Sequence, residues 1–140
     1  MTIRHAIFAL VLLRGCLPEA VPAAMPQWER DAACDVALAY RLDARQTALL
    51  LALRVHENGP RGCEFGVGAW QPSHPARRFA AVPWLSFRVQ AEWAAGTIRK
   101  HGFNGDVAGW AARTGWCLPH ERRQWVRSVE RIYRNTAQGT

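Results

Sequence analysis

The sequence predicts a mainly α-helical domain of about five helices, with a small irregular or β lobe after the second. Three observations carry this. Apolar residues recur at helical spacing in most of the chain. One of these stretches is apolar on nearly every side, as a helix through the middle of a domain would be. Between residues 59 and 84 the period vanishes, and Gly59, Gly62, Gly66 and Gly68 alternate with Pro60, Pro72, Pro75 and Pro83.

The elements follow in order. Residues 17–26 hold Pro18, Pro22 and Pro26 among small residues and read as a linker. From Gln27 to Tyr40, Ala33, Val36, Ala37 and Tyr40 give a first helical stripe. Asp43 with Gln46 forms a capping-box signature that opens a second helix over 44–57, through Ala48–Leu53 and Val55. Asn58, Gly59 and Pro60 stop it. The Gly- and Pro-rich lobe has room for short strands at Cys63–Val67 and Gly68–Gln71. Phe87, Ala91, Ala94, Ala95 and Ile98 then mark a third helix, ended by Arg99, Lys100 and the His101-Gly102 cap. A shorter helix after Asn104 uses Val107, Trp110 and Ala111. The last begins near Pro119 and buries Trp125, Val129, Ile132 and Tyr133, with five arginines over its remaining surface.

The 140-residue length suits one domain. Lys and Arg number 18 against 11 Asp and Glu, and all the cations but Lys100 are arginine. Together with 7 Trp, this bias points to a polyanionic or carbohydrate partner. The cations are scattered and no nucleic-acid reader motif occurs, so a nucleic-acid partner is not expected. No apolar run is long enough for a transmembrane helix.

The first 23 residues have the order of a secretory signal peptide: Arg4, an apolar run from Ala6 to Leu13, and the small exit Val21-Pro22-Ala23. A rival reading makes Leu13-Arg14-Gly15-Cys16 a lipoprotein signal acylated on Cys16. Either version predicts an exported protein, periplasmic or secreted. Removing that segment leaves Cys34, Cys63 and Cys117, an odd count, with Cys63 and Cys117 the pair to test for a disulfide because both sit in loop-like sequence. Zinc is not expected. His56-Glu57 starts like a zincin helix, but Pro60 stands where the second His is required. Neither a metal nor an organic cofactor is implied.

Glu57 is the residue with chemistry. It ends a hydrophobic helix, where burial and the negative end of the macrodipole both favour a neutral carboxyl. A carboxylic acid kept protonated is what a general acid for glycosidic cleavage requires. The competing reading is an end-of-helix Glu paired with Arg54 or Arg61.

A helix ending in Glu57, the Glu64-Phe65-Gly66-Val67 segment, Phe103-Asn104-Gly105-Asp106, and a final helix with Trp125-Val126, Val129 and Tyr133 follow one another in this order. This order resembles the lysozyme-like superfamily, in its soluble lytic transglycosylase and goose-type lysozyme branch, over residues 45–134. The family's acid falls on Glu57, and Asn58 stands where the family usually has Ser. Glu64-Phe65-Gly66-Val67 takes the place of its Gly-Leu-Met-Gln segment, and Phe103-Asn104-Gly105-Asp106 that of its Tyr-Asn-Ala-Gly block. The resemblance implies a lysozyme-like α+β catalytic domain over 44–135, preceded by a linker and N-terminal helix (24–43) and followed by a tail (136–140). It also implies a peptidoglycan glycan strand as partner and cleavage of the bond between N-acetylmuramic acid and N-acetylglucosamine.

Glu64 is the second candidate catalytic carboxyl. Facing Glu57 across a cleft, it would activate water or stabilise an oxocarbenium ion. Holding a loop instead, it would leave one acid, enough for a transglycosylase in which the sugar's own 6-hydroxyl attacks. A salt bridge to Arg61 is the third possibility. Trp70 and Trp116, in loop-like sequence, are candidates for sugar stacking, as is Phe103 in the family block, whereas Trp93, Trp110 and Trp125 default to packing. Asn104 is either a helix cap or a sugar contact. His56 points about 100° away from Glu57 on a helix, which suits a supporting role. Arg77-Arg78 is a solvated pair or a contact for peptide-stem carboxylates. The alternative function is a non-catalytic peptidoglycan- or glycan-binding module of the same fold, and behind it a basic nucleic-acid-binding protein.

Overall fold

The computed structural model describes residues 25–138, which form five α-helices and no strand. The signal-peptide and Cys16 readings, and the end of the expected tail, lie outside the described residues. The helices are α1 (Gln27–Ala39), α2 (Ala44–Glu57), α3 (Pro83–His101), α4 (Val107–Thr114) and α5 (Arg122–Gln138), with one turn of 3-10 helix at Pro75–Arg77. None is long and apolar enough to cross a membrane.

α2 is the axis of the molecule. Asp43 accepts from the Gln46 backbone N–H while the Gln46 side chain accepts from Asp43 N–H, completing the capping box. Every residue from Thr47 to Leu53 is buried, because α5 packs closely along α2, and α1 and α3 cover other faces. The helix stops where Asn58 adopts the left-handed conformation (φ 40°), which Asn tolerates better than most residues. The capping N–H of Asn58 still reaches the Arg54 carbonyl.

Two boundaries differ from expectation. The cap of α4 is Asp106, whose side chain accepts from Gly109 N–H; Asn104 instead accepts from Asp106 N–H one turn earlier. α5 begins at Arg122 rather than near Pro119, because residues 119–121 form a turn that delivers Glu121 as acceptor for Trp125 N–H. It also runs into the expected tail, where Thr136 is buried.

The lobe between α2 and α3 has turns in place of the expected strands. Its N–H groups reach back three residues again and again: Cys63 to Pro60, Gly66 to Cys63, Ala69 to Gly66, Gln71 to Gly68, His74 to Gln71. Chain turned so locally offers no extended run for a ladder. Further groups of the lobe are met by α3. The Gln90 amide donates to the carbonyls of Gly62 (2.9 Å) and Val67 (3.0 Å), and Ser86 Oγ accepts from Gly62 N–H. Phe65 anchors the lobe in the core, its ring tilted against Phe87 at 5.3 Å.

A buried ion pair crosses beneath. Arg54 on α2 donates from Nε and a terminal nitrogen to both oxygens of Glu29 on α1, each at 3.0 Å, and from its other terminal nitrogen to the Glu64 carbonyl. The side chains are only 12% and 8% exposed. Removing one partner strands the other charge in the interior. Arg54→Met is expected to lower unfolding free energy by about 3–5 kcal/mol in urea titration, and adding Glu29→Leu to recover most of it.

Candidate functional site

The Glu57 carboxyl emerges from the C-terminus of α2 into a cluster of indoles. Its Oε1 accepts two N–H groups, from Trp125 on α5 (3.1 Å) and from Trp116 in the loop after α4 (3.3 Å). Trp110 of α4 completes the cluster, stacked near-parallel to Trp125 and tilted against Trp116. The final turn of α4 ends on Gly115 in the left-handed conformation, and the chain turns there to bring Trp116 inward. Trp125 is fixed in turn by an edge contact from His56, whose Nδ1 lies 2.8 Å from Ser128 Oγ. His56 thus supports the indole that holds Glu57.

The other oxygen, Oε2, lies against Gly66 of the lobe. A Cβ at Gly66 would come within 2.6 Å of it, and Gly66 has φ +73°. The backbone therefore approaches the carboxylate as only glycine permits. None of the ion pairs among the described residues includes Glu57. Arg54 is committed to Glu29, so the alternative of an ordinary pair with Arg54 is not what forms.

Gly66 and Trp116, which touch Glu57, also line an open groove of about 520 Å³ with Trp70, His74, Trp93 and Thr114; the Glu57 side chain lies behind them and is not itself part of the lining. Trp70 in its wall is 80% exposed. Trp93 departs from its expected place in the core: it is 45% exposed, with its ring edge-on to His74 at 4.8 Å. The apolar stripe Phe87–Ala91–Ala94–Ala95–Ile98 turns inward, and position 93 falls off that face of α3. Beyond Trp93, Thr97 and Thr114 the groove continues toward Tyr40 and Lys100.

Glu64 does not share this groove. It is buried, its Oε1 accepting from Ser86 Oγ (2.6 Å) and its Oε2 from Gly62 N–H (3.1 Å). It belongs to the pins that hold the lobe on α3, and its partners replace the salt bridge to Arg61. Phe103 is likewise buried, edge-on to Tyr133, and takes no place in the groove. Asn104 is exposed, and its carbonyl accepts from Arg45. Arg77 packs near Gly62 and Gly68 in the lobe, while Arg78 is exposed.

Cys63 and Cys117 are free thiols rather than a disulfide. Cys63 closes the first turn of the lobe, whereas Cys117 lies within the fields of Arg122 on α5 and of Glu57. Burial pushes the Cys117 thiol above its usual value and the Glu57 charge adds to that, while Arg122 pulls the other way. No group of three or more metal-ligating residues occurs among the described residues.

Of the residues singled out in the sequence, Trp116 meets Glu57, and Trp116 and Trp70 share the groove; Trp93, Trp125, Ser86 and Gln90 were missed. A signal for the last two was present: they are polar residues on the core-facing stripe of α3. With Trp125, its place on a core stripe hid the polar edge of its ring. The chain matches no known protein family, no characterised protein and no solved structure.

Two measurements check this geometry. Gly66→Ala is expected to cost about 1–3 kcal/mol, read by urea titration, because the new methyl must displace the Glu57 carboxylate at a strained φ. In a Cys63→Ser background, the pH profile of Cys117 alkylation should move to lower pH for Glu57→Gln and to higher pH for Arg122→Gln. Shifts in the opposite directions would show that Cys117 does not lie between these charges.

Proposed function

We propose that the chain is a divergent lysozyme-like enzyme that cleaves the β-1,4 bond between N-acetylmuramic acid and N-acetylglucosamine in peptidoglycan, outside the cytoplasm, with Glu57 as its acid. The observation that carries this is the division of labour within one carboxyl group. Both indole N–H donors take Oε1. That leaves Oε2, beside Gly66 in the wall of a Trp-lined groove, as the oxygen to carry a proton.

The chemistry needs one carboxyl used twice. Glu57 Oε2–H gives its proton to the glycosidic oxygen as the C1–O4 bond breaks, releasing the N-acetylglucosamine hydroxyl and leaving an oxocarbenium-like muramyl centre. The carboxylate, now charged and held by Trp116 and Trp125, takes the proton of the muramyl 6-hydroxyl as O6 bonds to C1. The product is a 1,6-anhydro ring, and Glu57 ends protonated as it began. Glu64, with both oxygens engaged away from the groove, supports this single-acid route over a two-carboxylate hydrolysis. The exposed faces of Trp70 and Trp93 offer stacking surfaces for sugar rings. The excess of arginine suits an anionic wall.

Purified peptidoglycan incubated with the protein is expected to release muropeptides with anhydro ends, identified by mass. Glu57→Gln should lower the rate by about 10²–10⁴-fold while leaving the thermal midpoint near wild type. Turnover that survives Glu57→Gln would remove Glu57 from the reaction. Reducing ends would replace transglycosylation by hydrolysis, and binding without turnover would mark a glycan-binding module.

A further inference from the structure

The turn that leads from the lobe into α3 has no part in the groove, yet it exposes a run of apolar side chains. Phe79, Val82 and Trp84 are 36%, 40% and 61% exposed, with Ala81 and Pro83 exposed among them. The Val82 N–H bonds the Phe79 carbonyl, so this is a tight turn and not an extended arm. Trp28, 46% exposed at the start of α1, adjoins it: it packs edge-on to Phe87, one turn along α3 from Trp84, and shares a shallow crevice with Pro83 and Arg61.

Along the chain the turn is flanked by cations; on α1 the exposed Asp31, three residues from Trp28, accepts from the Gln27 amide. Arg77 and Arg78 precede the turn, Arg61 lies in the crevice, and from Phe65 to Ala91 the chain holds no Asp or Glu. The two carboxylates lining the crevice are both buried and engaged: Glu29 by Arg54, Glu64 by Ser86 and Gly62.

We infer that this turn, with Trp28, is a docking surface for an anionic lipid bilayer. Indole and phenyl rings at the tip of a structured turn suit the boundary between headgroups and acyl chains, where Trp is favoured. Val82 enters the apolar side, and the exposed Arg61 and Arg78 meet the headgroup phosphates. A second copy of the chain fits less well. A two-fold contact sets each patch against itself, bringing Arg against Arg, and these few side chains fall short of the roughly 20–30 residues a side that a stable interface uses. A glycan strand would stack on the rings but leave Val82 without a partner. The inference does not depend on Glu57 or on any catalytic activity.

The test is co-sedimentation of the full chain with vesicles of phosphatidylglycerol and phosphatidylethanolamine, against vesicles of phosphatidylcholine alone. Wild type should sediment with the anionic vesicles, lose binding as salt is raised, and leave phosphatidylcholine vesicles largely unbound. Trp84→Ser and Arg78→Glu, both at exposed positions, should each lower the partition coefficient about tenfold with the circular dichroism melt unchanged. Equal binding to both vesicle types, or wild-type binding by both variants, overturns the inference. So does lipid-free self-association in sedimentation velocity that Trp84→Ser abolishes, which would make the patch a contact between copies.

Discussion

A half-buried carboxylate at the exit of the most buried helix finds its hydrogen-bond donors on the apolar elements around it, and much of the structure is arranged about that contact. The donors are indoles, which carry one N–H on a ring that otherwise packs as hydrocarbon. Trp125 comes from α5 and Trp116 from the loop after α4, so both elements are tied to the end of α2 by one oxygen of Glu57. Trp110 between them is fully buried and makes the cluster a packed unit. Tryptophan is plentiful in the sequence partly because this one carboxyl is furnished from the core, without a cation.

The opposite wall is built differently. A lobe made of consecutive tight turns has no sheet to lean on, and α3 supplies a substitute through two polar residues one turn apart. Ser86 and Gln90 meet both backbone and side-chain groups of the lobe, and Arg54 reaches the Glu64 carbonyl from beneath. These contacts set where Gly66 stands, and hence how closely backbone approaches Glu57. A second carboxyl that sequence order places near the acid serves here to hold the wall upright.

The helices were legible in the sequence because they are encoded locally. The Asp43–Gln46 box, the apolar sweep of α2 and the His101-Gly102 stop each act within a few residues. Glu57 stood out for the same reason: an ionisable group at the end of an apolar helix is visible in one dimension. What could not be read depends on pairs far apart in the chain. Glu29 with Arg54, Glu64 with Ser86, and Trp125 with Glu57 are separated by 25, 22 and 68 residues. The lobe invited strands because Gly- and Pro-rich chain between helices suits either strands or turns. The choice fell to Gln90, whose amide occupies carbonyls that a neighbouring strand would otherwise have claimed. Phe103 misled in the opposite way, since an aromatic in a loop is as good an anchor as a binding surface, and Tyr133 claims it.

The turn-built lobe also divides the molecule into two tiers of cooperativity. Its own backbone bonds are short-range, and its hold on the helical body passes through a few side chains of α3, Arg54 of α2 and the ring of Phe65. Such a segment can detach and re-seat as a unit while α2, α5 and the indole cluster stay folded, at a free energy below that of global unfolding. Amide protons of residues 60–80 would then exchange with solvent through a separate opening from those of α2. The lobe's wall of the groove would then breathe while the indole cluster around the carboxyl keeps still.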